Sequence, residues 1–310
     1  SKVVKILHRE KIPFTPRGAG TGLSGGCLAV NGGVVICLTR MNKILELDFE
    51  NRTAIVEPGV INLALSDKTS REGFIFAPDP SSQQASTIGG NVAANSGGPH
   101  TLKYGSTINH ILGVEVVLPD GSIEMFGGKN EDTNGFDLTG LMIGSEGTLG
   151  IITKIIVRLI HLPEWYKTFL AVFEKMEDAT KSTSDIISSG IIPTAMEIID
   201  DVMIDALRKA FKFDFPEHIK AILVIEIDGI KEGMDRLGEE IVNICKNNNA
   251  REIKTAKDED LAREQNPNNV PDQLHCILAK KAGADYIVTR NVDDFNHFSS
   301  IIPVVKPEKL

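Results

Sequence analysis

A glycine-rich segment near the start of the chain contains residue types that can bind an anion. Residues 16–26 include five glycines within nine positions. Because glycine has no Cβ, several backbone N–H groups of such a loop can approach one phosphate. The positive charge of Arg17 and the hydroxyls of Thr21 and Ser24 add further donors. The phosphate or pyrophosphate site predicted here comprises Pro16, Arg17, Gly18, Ala19, Gly20, Thr21, Gly22, Ser24 and Gly25.

Two common glycine motifs do not explain this segment. Residues 20–25 match the dinucleotide fingerprint G-x-G-x-x-G, but that motif must open a helix. Residues 27–38 instead have the pattern of strands interrupted by an Asn-Gly-Gly turn. The phosphate loop of nucleotide hydrolases needs Gly-Lys followed by Ser or Thr, and the segment lacks it. A surface loop without a ligand is the remaining alternative, and a second glycine cluster argues against it.

The second cluster, residues 86–98, predicts a short helix that could lie against a flat group. Ser86 or Thr87 can cap this helix, and Gly89, Gly90, Ala93 and Ala94 keep its surface thin. Asn91 and Asn95 are four residues apart, which would place two amides on one helix face. Tight packing of a small-residue helix is the alternative, and the segment by itself leaves both open.

A third segment, residues 143–152, combines three glycines with an Ile-Ile pair. Glycines in this number predict a turn pressed against a flat surface, and the isoleucines would supply an apolar wall. On its own this signal is weak.

Composition limits the class of protein. The chain has 310 residues, of which 42% are hydrophobic, and a net charge of −9, which suits two globular domains and disfavours nucleic acid as a partner. Its four cysteines (27, 37, 245 and 276) have no metal-ligand spacing, so we expect reduced thiols. Because we find no signal peptide and no apolar run of about 20 residues, we expect a cytoplasmic protein without a membrane span. The helical pattern begins at once and without Met, so we expect the N-terminus to be missing.

Helix and strand patterns divide the chain into three parts. Residues 1–162 have the pattern of short strands punctuated by glycine, with a helix at 62–71 and a hairpin at 114–126. Residues 163–262 alternate strands and helices, which is typical of a ferredoxin-like α+β sandwich. Residues 263–310 begin with a proline-rich linker and form a separate tail.

The three glycine segments together resemble, in order and spacing, the FAD-binding domain of the vanillyl-alcohol oxidase (PCMH) type. The resemblance covers roughly residues 1–257 and is closest to glycolate oxidase D-subunits and to D-lactate or D-2-hydroxyglutarate dehydrogenases. It implies an α+β fold, in which a two-subdomain FAD-binding domain precedes a partial ferredoxin-like cap domain. In that family the first strands of the FAD-binding domain would precede residue 1.

The resemblance implies FAD as a non-covalent cofactor and assigns its contacts. The first segment would bind the pyrophosphate, the second would also border the isoalloxazine, and the third would meet the adenine-ribose side. Beyond the first segment, the implied cofactor-binding residues are Pro78, Asp79, Ser86, Thr87, Gly89, Gly90, Asn91, Ala94, Asn95, Gly97, Gly98, Tyr104, Gly105, Glu146, Gly150, Ile151 and Ile152.

The resemblance also implies a reaction, the oxidation of a D-2-hydroxy acid such as glycolate or D-lactate by hydride transfer to the flavin. An electron acceptor is then needed, and the implied classes are a quinone, an electron-transfer flavoprotein or an iron-sulfur subunit. No catalytic residue and no metal ligand is assigned, because the family carries its histidine cluster in the later cap and the seven histidines here are dispersed. The alternative is therefore a catalytically incomplete flavin-binding remnant, and we expect poor turnover by this chain.

The tail resembles the C-terminal end of PIN-type ribonucleases over residues 282–307, with a strand at 286–289. Asp272 matches one metal-binding acid of that family, whereas Asn291 stands where another carboxylate is common. Metal-dependent phosphodiester cleavage needs clustered carboxylates, so the sequence disfavours a ribonuclease. A spliced or mis-assembled gene end, giving a chimera, is the interpretation we favour.

Overall fold

The computed structural model describes residues 1–130, 135–210, 216, 218–255 and two short strands in the tail. The chain divides into two compact units, Ser1–Leu162 and Pro163–Leu310. Each unit has its own antiparallel sheet and its own buried apolar cluster.

The first unit alternates short helices with short strands. Its helices are α1 (Lys2–Arg9), α2 (Asn62–Ser70), α3 (Ile88–Ala94), α4 (Thr101–Tyr104) and α5 (Leu138–Met142), and a 3-10 turn covers Thr107–His110. Its strands are β1 (Phe14–Arg17), β2 (Val34–Cys37), β3 (Ile44–Asp48), β4 (Thr53–Val56), β5 (Phe74–Ile75), β6 (Ile111–Val117), β7 (Ile123–Gly127), β8 (Ile151–Arg158) and β9 (Ile160–His161).

The core of the first unit lies on a five-stranded antiparallel sheet in the order β3-β4-β8-β6-β7. The central strand β8 comes from an Ile-rich run with few polar residues, and Ile155 and Val157 on it are fully buried. Apolar residues of α2 and α3, among them Leu65, Ile88 and Val92, complete the same cluster. This arrangement holds the start of β8 beside α3.

The parallel pair β1 and β2 supports the first glycine segment. The chain leaves β1 after Arg17 and returns at Val34, and the Val34 N–H donates to the carbonyl of Pro13 at 2.9 Å. Gly33 has a φ of +101°, and a Cβ there would lie 2.1 Å from the same carbonyl, so only glycine fits. Residues 18–33 contain no helix, which agrees with the exclusion of the dinucleotide fingerprint.

The second unit contains a four-stranded antiparallel sheet. Its elements are β10 (Trp165–Phe173), α6 (Met176–Ser188), β11 (Ala195–Asp200), α7 (Asp201–Ala210), β12 (Ala221–Gly229), α8 (Lys231–Asn247) and β13 (Glu252–Thr255). The strand order β11-β12-β10-β13 is that of a ferredoxin-like sandwich, so the α+β prediction is confirmed. Phe169 and Ala171 pack with α6 and α8 on one face, whereas Leu170 and Val172 pack with Ile204 on the other.

The sequence predicted most of these elements but not all of them. The helix at 62–71 and the hairpin at 114–126 are confirmed, whereas β3, α4 and α5 were not predicted. In the tail, β14 (Ile287–Val288) lies inside the strand predicted at 286–289. It pairs in parallel with β15 (Val304–Val305). Apart from these two strands the PIN-like tail from 263, including Asp272 and Asn291, lies outside the described residues, and its separate status stays a prediction.

Candidate functional site

Two cavities that share part of their walls lie between the three glycine segments. The larger, about 210 Å³, lies between the first glycine segment and α3. The smaller, about 60 Å³, lies between α3, the end of β4 and the start of β8. Predicted residues that line one or both cavities are Pro16, Arg17, Gly18, Ala19, Gly20, Thr21, Gly22, Ser24, Thr87, Gly89, Gly90, Asn91, Ala94, Glu146, Gly150, Ile151 and Ile152.

Small residues allow α3 to pack closely enough to form the wall of both cavities. Thr87 is its N-cap, and the Thr87 hydroxyl accepts from the Gly90 N–H at 3.3 Å. A Cβ on Gly18 would lie 2.4 Å from that hydroxyl, and one on Gly89 would lie 2.5 Å from the Cβ of Pro58. The first segment and the second are therefore in direct contact, which neither sequence pattern establishes alone.

Asn91 contributes an unpartnered polar group to the larger cavity. The residue is only 2% exposed, and its Nδ2 is buried without a hydrogen-bond partner among the described residues. A buried amide donor without a partner is costly, and it indicates a ligand acceptor at this wall.

The prediction that Asn95 shares a helix face with Asn91 is wrong. Asn95 ends α3 in the left-handed conformation with a φ of 46°, so the helical spacing of four residues does not apply. Its Oδ1 instead accepts from the Ile108 N–H at 2.9 Å and from the Ser106 hydroxyl at 3.2 Å. Asn95 thus fixes the chain after α3.

Arg17 supplies positive charge at the mouth of the larger cavity. It is exposed, and no carboxylate forms an ion pair with it in the described part of the chain. In the β1-β2 pair it lies opposite Cys37. Hydrogen bonds from Thr39, and then the neighbouring Arg17 guanidinium, lower the pKa of the Cys37 thiol to about 7.

The third glycine segment is attached to α3 through two backbone hydrogen bonds. The Gly144 N–H donates to the Val92 carbonyl and the Glu146 N–H donates to the Ala93 carbonyl, at 2.9 and 2.8 Å. Glu146 has a left-handed φ of 52° and lines both cavities. The segment therefore brings a carboxylate to the boundary between them.

The remaining predicted residues do not line either cavity: Gly25, Pro78, Asp79, Ser86, Asn95, Gly97, Gly98, Tyr104 and Gly105. Several of them support the wall. The Pro78 carbonyl accepts from Asn62 Nδ2 at 2.9 Å, and the carbonyl of Tyr104 lies 2.8 Å from His110 Nε2. Gly98 has no room for a Cβ, because Asp79 would lie 2.2 Å from it.

Some lining residues were missed by the sequence analysis. They are Gly26, Cys27, Leu38, Pro58, Ser82, Ala93, Ser96 and Gly147. Ala93 was predicted from the sequence to keep α3 thin against a planar group, although it was not named as a cofactor contact. No local signal marks Leu38 or Pro58, which reach the site only through the sheet.

The residues of this site fit FAD. The larger cavity offers backbone amides, hydroxyls, Arg17 and the unpartnered amide of Asn91 to an anionic diphosphate. The smaller cavity has walls of Pro58 and Ile152 that suit a flat ring. Within the described ranges, no group of three or more His, Cys, Asp or Glu side chains could hold a metal ion.

Comparison with known families and curated proteins matches both units. The family described as "FAD binding domain" matches residues 1–127, and "FAD linked oxidases, C-terminal domain" matches residues 162–266. Glycolate oxidase subunit GlcD of Bacillus subtilis is 44% identical over 84% of this chain and 56% of its own length. GlcD of Escherichia coli K12 is 40% identical over 83% of this chain and 52% of its own length. A D-lactate dehydrogenase of Anaerostipes hadrus is 38% identical over 74% of this chain and 50% of its own length. The chain thus spans about half the length of these relatives.

Solved structures show the same fold. An alkyldihydroxyacetonephosphate synthase matches with a TM-score of 0.68 and 23% identity, over 82% of this chain and 49% of that one. A p-cresol methylhydroxylase with bound substrate matches with a TM-score of 0.65 and 22% identity, over 88% of this chain and 58% of that one. At these identities the likeness concerns the fold alone.

Proposed function

We propose that this chain, which belongs to the FAD-linked oxidases with an FAD-binding domain and a C-terminal oxidase domain, binds FAD non-covalently and oxidises a small D-2-hydroxy acid. The observation that carries the proposal is the buried, unpartnered Nδ2 of Asn91 in a cavity rich in backbone amides. Similarity to glycolate oxidase subunits and to a D-lactate dehydrogenase supports glycolate or D-lactate as the type of substrate.

The chain's own residues would bind and orient the cofactor. Arg17 and the amides of residues 18–22 would hold the diphosphate, because a fixed cation and bare N–H groups both favour negative charge. Asn91 would donate its free amide hydrogen to a cofactor acceptor, and Ile152 with Pro58 would exclude water from a flat ring. Bound FAD would supply the hydride acceptor, and no side chain of this chain is assigned as the catalytic base.

We also propose a reducing, cytoplasmic setting and an electron acceptor as partner. The described cysteines Cys27, Cys37 and Cys245 are all free thiols. No helix among the described residues is both long and apolar enough to cross a bilayer. Two of the relatives are named as subunits, which supports an acceptor on another chain, of the quinone, electron-transfer flavoprotein or iron-sulfur class.

The test begins with the purified chain and added FAD. After removal of free flavin, the absorbance spectrum should show a bound flavin, and acid precipitation should release it into the supernatant. Anaerobic mixing with glycolate, D-lactate or D-2-hydroxyglutarate should then bleach the flavin band slowly, in line with the poor turnover expected from the sequence, with L-lactate as the stereochemical control. A chain that retains no flavin contradicts the proposal. Flavin binding without bleaching by any of the acids contradicts the oxidase function and supports the alternative of a flavin-binding remnant.

A further inference from the structure

A further cavity lies in the second unit, between β10 and α8. Its volume is about 770 Å³, which exceeds that of either cavity in the first unit and lies within the range of small-molecule sites. The α8 residues that line it recur every three or four positions from Lys231 to Lys246, so they form one stripe along the helix. This stripe is about 22 Å long. The cavity is therefore elongated.

The floor of this cavity is apolar. Phe169 of β10 and Met234 of α8 are almost fully buried beneath it, whereas Trp165 and Val242 are half-buried at its surface. A Cβ on Gly238 would lie 2.8 Å from Cζ of Phe169, so the lack of a side chain there lets α8 rest on this ring. An aliphatic chain lying along the floor would remove further apolar surface from water.

Two lysines that line the cavity already have partners. The Lys167 ammonium donates to Oδ1 of Asp235 at 3.0 Å. Nζ of Lys231 lies 4.4 Å from the centre of the Trp165 ring, within the range of a cation–π contact. These contacts compensate the positive charge in the middle of the cavity and at the start of α8.

Lys246 and Asn243 supply donors at the other end. They lie one turn apart, and in the described part of the chain neither side chain forms a hydrogen bond or an ion pair. A carboxylate accepts hydrogen bonds from both an ammonium and an amide. Glu239 lies about 10 Å back along the helix and would repel an anion placed beside it. The end at Lys246 is therefore the place for a negative head group.

An acyl chain suits this floor better than a peptide does. Each residue of a peptide would bring an N–H and a C=O group onto the apolar floor, and such groups cost free energy when they are buried without a partner. A methylene chain has no such groups. A fatty acid combines a long apolar part with one anionic end, and these two features match the cavity.

We propose that this cavity binds a long-chain fatty acid, with the carboxylate at Lys246 and Asn243 and the chain running past Val242 towards Trp165. All of the described lining residues belong to the second unit, and none of them lines the cofactor cavities. The proposal is therefore independent of the proposed function and stands or falls by its own test.

Trp165 is the only tryptophan of the chain, so its fluorescence reports on this cavity. The full chain is titrated with tetradecanoate, and with decanoate, tetradecanol and tetradecyltrimethylammonium as probes that change the chain length or the charge, all below their micelle concentrations. Calorimetry repeats each titration without relying on the indole. Lys246→Gln tests the head-group end and Val242→Gln the floor, and Lys175→Gln, an exposed lysine of the same unit outside this cavity, is the control. Thermal unfolding checks that each variant folds.

Tetradecanoate should change the Trp165 fluorescence, and decanoate should bind about tenfold more weakly, because four fewer methylenes lie on a partly open floor. Lys246→Gln should weaken tetradecanoate about tenfold without changing the binding of tetradecanol. Val242→Gln should weaken both ligands, and Lys175→Gln neither.

Three results would overturn the proposal. The first is a chain that does not bind tetradecanoate. The second is binding that Lys246→Gln leaves unchanged, or equal binding of the cationic tetradecyltrimethylammonium, because both show apolar association without a head-group site. The third is sedimentation with phosphatidylglycerol vesicles by a chain that does not bind free tetradecanoate, which would assign the cavity to a lipid surface.

Discussion

The imidazole Nδ1 of His100 lies 2.5 Å from Oδ2 of Asp79, and this contact joins the two segments on either side of α3. Both side chains are 16% exposed, so water screens the pair only partly. The segment of Asp79 leads to Ser82 and the segment of His100 follows Ser96, and both serines line the larger cavity. The pair therefore holds together a wall of the cofactor site without lining it.

Asp79→Asn should lower the free energy of unfolding by about 2 kcal/mol, because the hydrogen bond between His100 and a carboxylate is replaced by a weaker one to a neutral amide in a partly buried place. The measurement is urea unfolding of the chain without flavin. The matched control is Asp67→Asn on α2, outside both cavities. An unchanged unfolding curve for Asp79→Asn would show that the contact contributes nothing.

Asn91→Leu should separate folding from cofactor binding. Without flavin the variant should be at least as stable as the unmodified chain, because it removes a buried donor that has no partner. Its FAD affinity should fall about tenfold, since the donor is absent when the ligand binds. Thermal unfolding and fluorescence titration test the two halves. A large loss of stability without flavin would instead give Asn91 a structural role.

Gly18→Ala and Gly22→Ala form a matched pair within the first glycine segment. The Cβ of alanine at 18 would lie 2.4 Å from the Thr87 hydroxyl, so the cap of α3 should be lost at a cost of about 1 kcal/mol. A Cβ at Gly22 would have no heavy atom of the described residues within 4 Å apart from its chain neighbours, and the substitution should leave the unfolding free energy unchanged. Urea unfolding compares them, and equal effects at both positions would refute the contact between segment and helix.

The cysteines should differ in their reaction with iodoacetamide. Hydrogen bonds from Thr39, with Arg17 nearby, lower the pKa of the exposed Cys37 to about 7, whereas burial raises that of Cys245 to about 11. Cys37 should therefore reach half its maximal rate near pH 7, and Thr39→Val should move this midpoint upward. Peptide mass spectrometry over pH 5 to 10 gives both profiles. A Cys245 that reacts as fast as Cys37 at pH 7 would contradict the prediction.

His110 should make the first unit sensitive to acid. Burial lowers the pKa of His110, and its hydrogen bond to the Tyr104 carbonyl raises it. The effect of burial is the larger, so the pKa lies below the ordinary 6.5. The unfolded chain then binds a proton more readily than the folded one, so stability should fall as the pH drops below about 6.5 and level off below the lowered pKa. Urea unfolding at pH 7.5 and 5.5 measures this loss. His110→Gln, which retains a donor for the carbonyl, should reduce it, and an equal loss in both proteins would assign the effect to other groups.

The sequence by itself determined the class of fold and the positions of the three glycine segments. The spacing of apolar residues along a strand or a helix follows from local backbone geometry. For this reason α2, the β6-β7 hairpin and the Ile-rich strand β8 could be predicted. Glycine at 18 reports a backbone that approaches another segment closely, and glycine at 20 reports a left-handed φ of +76°, and both are local signals. The resemblance carried by these segments then led to FAD.

Only the tertiary structure decided which residues meet. Asn95 satisfies the helical spacing, but the helix ends there in the left-handed conformation and the amide faces the 3-10 turn. Leu38 and Pro58 reach the smaller cavity because β-strand pairing brings distant segments together, and no short pattern in the sequence records that pairing. The place of Glu146 between the two cavities likewise comes from long-range contacts, among them its backbone hydrogen bond to Ala93 across 53 residues of sequence. Contacts of this range come from packing of the whole unit, which is why the sequence located the segments and the fold assembled the site.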